Sequence, residues 1–375
     1  MTFTLCLVLG LHLSTPTTAR RFRARLRYDG AGFHGVQKNK RTDDGTELRT
    51  VLSTLERSLW PALDQHVTFG MAGRTDAGVS ATGQVVAFDA ECSGGDDGVL
   101  LAVNGTATRV SELTDALNSC LPLDLQMTEC AVVPTRFDVV RDCRWKRYRY
   151  RLPPCEPSED DEDALRLLKM TRSHAARAAR HRAEEAGGDD GGAAAAAAPR
   201  RRRRGRSATP LAISDVAAMR RAAALLEGTH DYAAFQASRG DQKGTVRTIF
   251  RCAVEQRAAA AADDQSGPPS AEAGVAAADA DAYDLVIEGE GFLYKMVRIV
   301  AGTLLMVGMG LAPPETVLTA LAAEAADGDG DGDVEDEPRG VPKRELRRRA
   351  VVGPTLPPER LCLEHVEYER EHGVV

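Results

Sequence analysis

Three tracts of the chain are too poor in aromatic and β-branched residues to build a core, and they dictate which residues must build one. Residues 155–210 pass from an acidic stretch through Ala- and Arg-rich sequence to Gly187–Gly192, Ala193–Ala198 and Arg200–Arg204. Residues 257–280 are rich in Ala, Asp and Pro, and residues 323–350 alternate Asp with Gly before turning basic. Burial within such segments does not offset the entropy lost on ordering them, so they are expected as solvated insertions. They also control the charge. With 48 Lys and Arg against 55 Asp and Glu, the formal net charge is −7. The sign comes from two acidic runs: Glu156, Glu159, Asp160, Asp161, Glu162 and Asp163, then Asp327, Asp329, Asp331, Asp333, Glu335, Asp336 and Glu337. Without them the remainder is basic, and the arginines at 200–204 and 206 account for that excess in turn. The Arg run reads as a solvated loop, with a nuclear address or RNA-binding arm as the other reading. Net charge therefore excludes neither an RNA partner nor any other.

Other features exclude more. No apolar stretch approaches the ~20 residues that span a bilayer, so no membrane partner is expected. The eight cysteines are scattered, without a C-x-x-C pair or clustered histidines, which suits a reducing compartment and predicts no metal site. Residues 1–20 stand apart: the apolar run Phe3–Leu13 precedes Ser14–Ala19 and Arg20-Arg21, with no positive charge before it. It reads as a leader, a transit peptide or an incorrectly assigned start. The expected location is cytoplasmic or nuclear, or organellar if this segment is a leader.

The rest is patterned. Arg21–Tyr28 alternates at period two with a cation at every second residue, and so predicts a strand. Its Arg21, Arg23, Arg25 and Arg27 fall on one face, where they could follow a phosphate backbone or simply meet water. Further cations gather at Arg141–Arg151 and at Lys243, Arg247 and Arg251. Val51, Leu52, Leu55 and Leu59 form a helical stripe in Thr50–Leu63. Strands are predicted at Val67–Met71, Gln84–Phe88, Leu125–Val133, Tyr148–Leu152, Thr245–Glu255 and Tyr283–Glu288. Helices are predicted at Leu113–Cys120, at Ser214–Glu227 with Ser214 as N-cap and Gly228 as stop, and at Phe292–Val307 carrying Lys295 and Arg298. This order, without a run of βαβ phosphate loops, predicts an α+β fold of mostly antiparallel sheets. Residues 21–133 and 134–375 repeat a similar rhythm, suggesting two related subdomains, the second interrupted by the three insertions.

Between two strand candidates lies Gly73-Arg74-Thr75-Asp76-Ala77-Gly78-Val79. Glycines at both ends let the loop fold tightly and project Asp76, and Arg74 offers charge-assisted hydrogen bonds to a carboxylate or phosphate. By these residues alone, a turn closed by an Asx hydrogen bond is the plainer reading.

The heptad resembles the signature of the TruA-type tRNA pseudouridine synthases. Tyr28-Asp29-Gly30, Phe33-His34-Gly35 and Gln37 resemble that family's opening motif, and Thr82–Val86 and Asp115–Pro122 follow in its order. Arg136-Phe137 with Lys146–Tyr150, Gly228–Asp231 to Phe235, Arg247–Ile249 and Phe292–Arg298 continue it. The match spans the patterned core and skips the three tracts. It departs at Val36, where the family commonly has tryptophan, at Ser80 for histidine and at Leu52 for glutamine. About three extra residues also separate Arg136-Phe137 from Tyr148.

The resemblance implies a pseudouridine synthase fold with the active-site cleft between the subdomains. It implies Asp76 as nucleophile or catalytic carboxylate, Tyr148 as the tyrosine packed against the target base, Arg298 as the basic partner of the aspartate, and Arg74 as a substrate-engaging arginine. Read from residue type alone, the plainer readings are Tyr148 as a core tyrosine and Arg298 as a helix-surface ion pair. Arg23, Arg25, Arg27 and Arg247 are the expected further substrate contacts. The implied substrate is tRNA, at uridines 38 to 40 of the anticodon stem-loop, on a homodimer with no metal and no small-molecule cofactor. A relative with broader RNA substrates and a silent RNA-binding protein on the same fold are the alternatives.

Overall fold

The computed structural model describes residues 17–38, 45, 47–94, 98–186, 211–237, 244–257, 282–322 and 352–369. The leader, the Arg200–Arg204 run, Lys243, the second acidic run and the tracts at 257–280 and 323–350 lie outside or almost wholly outside them.

The chain folds as a mixed α+β protein. Its strands are β1 (Thr18–Tyr28), β2 (Gly70–Met71), β3 (Ser80–Cys92), β4 (Leu100–Val103), β5 (Thr106–Arg109), β6 (Leu125–Val133), β7 (Cys143–Arg151), β8 (Gly228–Asp231), β9 (Val246–Gln256), β10 (Tyr283–Gly289) and β11 (Leu361–Tyr368). The helices are α1 (Val51–Leu63), α2 (Val110–Asn118), α3 (Glu162–Ala186), α4 (Val216–Ala224), α5 (Met296–Gly308) and α6 (Thr316–Ala322). Among the described residues, β4 and β5 form a separate hairpin, and the other nine strands form one sheet in the order β6-β1-β3-β11-β7-β10-β9-β8, with β2 beside β3. All pairings are antiparallel except β11 with β3. The two halves therefore meet in one continuous sheet, and the strand that joins them is the last, β11, which sequence patterning had not singled out.

Local chemistry explains most boundaries. Thr50 caps α1 by accepting from the Ser53 amide while the Ser53 hydroxyl accepts from the Thr50 amide. Asn104-Gly105 joins β4 to β5 with both residues at positive φ, as a two-residue hairpin of this hand requires. Buried Phe22, Ala24, Leu26 and Tyr28 alternate along β1 with its arginines, so period two survives into the structure.

Several boundaries differ from expectation. The N-cap of α4 is Asp215, whose carboxylate accepts from the Ala218 amide, while the Ser214 hydroxyl turns to the Gly308 carbonyl. Gly228 opens β8 and does not end the helix. Lys295 precedes α5 in a left-handed conformation (φ 59°), so this helix begins four residues later than its apolar run suggests. Only Gly70–Met71 of the strand expected at 67–71 pairs.

The largest difference is α3, a 25-residue helix inside a tract expected to bury too little to become ordered. Ala164, Leu167, Leu168, Thr171 and Ala178 share one face and are buried, and the helix packs on α5. Overall composition hid a narrow apolar stripe with helical spacing. Truncating it in Leu168→Ala should lower stability by about 2–4 kcal/mol, read as a shift in urea midpoint. An unchanged midpoint would show that α3 contributes nothing to the core.

Candidate active site

Two loops interlock to present Asp76. The opening loop after β1 holds the signature loop through the Val36 amide donating to the Thr75 carbonyl at 3.3 Å and the Gly78 amide donating to the Phe33 carbonyl at 3.2 Å. Gly35 sits at φ 91°, and a Cβ there would lie 3.0 Å from the Thr75 carbonyl oxygen and 3.3 Å from the Asp76 carbonyl carbon. Only a glycine meets both demands without displacing the backbone of Asp76. Ser80, the departure from the family's histidine, accepts the Gly30 amide at 3.0 Å and so ties the two loops again. From outside, Arg49 grips Asp124 through two bonds of 2.6 and 2.7 Å and also donates to the Gly32 carbonyl. This fork holds the Asp124 carboxyl below its ordinary range.

From beneath, the sheet fixes the loop's side chains. The hydroxyls of Tyr28 and Thr75 lie 2.9 Å apart, and the Gln84 side chain donates Nε2 to the Gly73 carbonyl at 2.9 Å. Burial pushes Tyr28 up to about 12. Tyr28, Ala81, Leu363 and Tyr148 occupy one cross-strand row through β1, β3, β11 and β7, which puts Tyr148 on the same face as the loop.

The structure brings Asp76, Arg298 and Tyr148 together. Arg298, in the first turn of α5, donates Nη1 to Asp76 Oδ2 at 3.0 Å and Nε to the Leu356 carbonyl at 2.6 Å. The second bond fixes the guanidinium's direction, and the Leu356 amide returns a bond to the Arg298 carbonyl. Tyr148 is buried with its ring edge-on to Phe292, centroids 5.1 Å apart. Burial raises its pKa first, and the neighbouring Tyr28 and the Asp76 charge raise it further, so it stays a neutral phenol. Tyr150, two residues on, is a core residue whose hydroxyl donates to the Pro357 carbonyl.

Arg74 stands beside Asp76 in sequence and is held by Gln37. With its carboxamide oxygen turned toward the guanidinium, Gln37 accepts from Nε at 2.9 Å and from Nη2 at 3.1 Å. The residues missed at first reading are these supports: Gln37, Tyr28, Thr75, Gln84, Phe292 and Leu356. Tyr28 and Gln37 lie in the motif already singled out, whereas nothing local marks Leu356.

The other expected cations lie elsewhere. Arg21, Arg23, Arg25 and Arg27 project from the face opposite Tyr148. Arg21 bonds Asp89 at 2.6 and 2.8 Å, and Arg23, 8% exposed, bonds Glu129 at 2.7 Å, with Arg25 at 3.4 Å from the same carboxylate. Three of the four arginines expected to track phosphates thus already have carboxylate partners within the sheet. A buried guanidinium must be paired, and the carboxylates on β3 and β6 pair three of these four. Arg27 is half-buried on the same face. Arg247, at the start of β9, donates to the carbonyls of Val246 and of Gly244 just before the strand, and lies against Gly291, next to Phe292.

The tyrosines give a measurable sign. Tyr28, Tyr148, Tyr150, Tyr232 and Tyr368 all titrate above the ordinary value of 10.0 because burial disfavours the phenolate. The unfolded chain therefore loses these protons first, so their contribution is complete below pH 10 and is lost as pH rises through the raised values. Unfolding free energy should fall above pH ~10 by up to about 1.4 kcal/mol per pH unit for each tyrosine. Urea titrations followed with tyrosinate absorbance check this; a stability that holds flat to pH 11.5 would contradict it.

The chain is similar along most of its length to known proteins. A family model described as tRNA pseudouridine synthase matches residues 222–339. A tRNA pseudouridine synthase A of Myxococcus xanthus is 31% identical over 349 residues, covering 93% of this chain and 92% of that protein. The protein of the same name from Halalkalibacterium halodurans is 30% identical, covering 82% and 86%. That of Syntrophomonas wolfei is 29% identical, covering 94% and 98%. With similarity of this degree running nearly end to end, the chain belongs to the tRNA pseudouridine synthase A family of isomerases.

Proposed function

We propose that this protein converts uridine to pseudouridine in the anticodon stem-loop of tRNA, at positions 38 to 40, and that Asp76, Tyr148 and Arg298 form its active site. The observation that carries the reading is the Asp76–Arg298 pair at 3.0 Å beside a buried tyrosine. It favours an active enzyme over a silent RNA-binding protein on the same fold, since each element of the chemistry has its side chain.

The isomerisation breaks the N1–C1′ bond, turns the uracil and closes a C5–C1′ bond, moving one proton from C5 to N1. No atom is gained or lost and nothing is oxidised. The target uridine must leave the stack before a side chain reaches its sugar. The Asp76 carboxylate then either adds to C1′ or removes a neighbouring proton. Arg298 offsets the cost of placing that carboxylate in a half-buried site, and its bond to Leu356 prevents it from swinging away. Tyr148, held neutral, is a platform for the detached uracil and not a standing phenolate base. Arg74, braced by Gln37, engages the substrate. Arg247, beside the segment that carries Phe292, is a further tRNA contact. Residues 21–133 and 134–375 act as two related halves with the uridine entering between them, and the working unit is a homodimer.

Asp76→Ala should reduce pseudouridine formation about a thousandfold or more while leaving tRNA binding intact, measured by mapping pseudouridine in tRNA incubated with each protein. Equal activity would remove Asp76 from the chemistry. Modification confined to sites outside the anticodon arm would overturn the site assignment.

A further inference from the structure

The basic set on β7 is not one surface. Alternation sends Arg147 and Arg149 to the face opposite Tyr148, where Arg147 bonds Glu288 at 2.8 Å and Arg149 bonds Glu364 at 2.5 Å and Asp284 at 3.3 Å. Arg144 pairs with Glu369 at 2.7 Å. Lys146 differs. It lies two residues before Tyr148, on the same face, and among the described residues no carboxylate binds it. Its stem reaches the signature loop: a Cβ on Gly73 would lie 3.4 Å from Lys146 Cε and 3.5 Å from Nζ. The ammonium thus lies against the signature loop at Gly73, the residue before Arg74.

Asp76 does not need this charge, because Arg298 already pairs with it. Lys146 and Arg74 thus leave the neighbourhood of Asp76 with two cations that no described carboxylate neutralises. A nucleotide turned out of its stack carries a phosphate on each side of its sugar, and each requires a partner once it leaves water. A lysine ammonium is a compact charge with three donors on a flexible stem, suited to a phosphate oxygen more than to the planar edge of a base. We propose that Lys146 is a further substrate-binding residue of this site, its ammonium taking a backbone phosphate flanking the target uridine. The proposal rests on the reading of the site as a pseudouridine synthase centre.

The test measures binding of transcribed tRNA to the full-length protein across a salt series, together with turnover. Lys146→Gln should raise KM several-fold, leave kcat within about twofold, and flatten the plot of log affinity against log salt by about 0.7 to 0.9, one phosphate contact. Lys146→Arg should restore the slope, which a packing role would not require, and thermal melting of both variants confirms folding. An unchanged slope, or a loss confined to kcat, overturns the proposal. Binding needs no turnover, so a wild-type protein that binds tRNA without forming pseudouridine would defeat the functional reading while the salt slope still judges Lys146.

Discussion

The ion pair between Asp76 and Arg298 joins residues 222 apart in sequence, and much of the architecture serves to hold that distance at 3.0 Å. A carboxylate brought into a half-buried site needs a partner there, and a partner on a mobile side chain would cost as much in entropy as it returned. Both sides are accordingly fixed. Asp76 is clamped between the opening loop and the sheet, and Arg298 is anchored by α5 and by the Leu356 carbonyl. Each clamp is built within its own half of the chain, and the two meet because the halves share one sheet, which β11 closes by entering between β3 and β7. The residues just before β11 supply the carbonyls that Arg298 and Tyr150 bind, so one segment closes the sheet and aims the guanidinium.

The two faces of the sheet divide the charge between separate tasks. Facing away from Tyr148, Arg21, Arg23 and Arg25 of β1 and Arg147 and Arg149 of β7 meet carboxylates on neighbouring strands, so much of that face is bound by its own ion pairs. On the site face, Tyr28, Gln84 and Tyr148 are uncharged, and two cations on or against the signature loop, Arg74 and Lys146, meet no carboxylate among the described residues. An overall charge of −7 says nothing about this division, because it sums residues that never face the same partner.

The strands were legible in the sequence where alternation was long and one face was buried. Leu125–Val133 was read with its true limits, and β9 and β10 to within one residue at each end. Boundaries failed where a capping side chain competed with periodicity, as at Asp215, or where an apolar run continued past the helix it belonged to, as at Lys295. The Asn104-Gly105 turn was as plain a hairpin signal as a sequence offers and went unread. The α3 stripe was hidden because composition averaged over 155–210 diluted five buried positions with charged and small residues. Within the site, Asp76 and Arg74 stood out through their loop, and Tyr148 and Arg298 only through family resemblance.

What the sequence determines by itself is local: which segments can bury a face, where glycine must stand for two backbones to approach, and which residue types are present for the chemistry. Arg23 and Lys146 show where that ends. Both are cations on alternating strands beside motif residues, and no spacing rule separates them. Tertiary structure decides between them, because pairing depends on which neighbouring strand brings a carboxylate within reach. Glu129 on β6 does so for Arg23, while no described carboxylate reaches Lys146. A charge is committed to the fold or left for a partner only once the strands are assembled, and that information lies in the register between them.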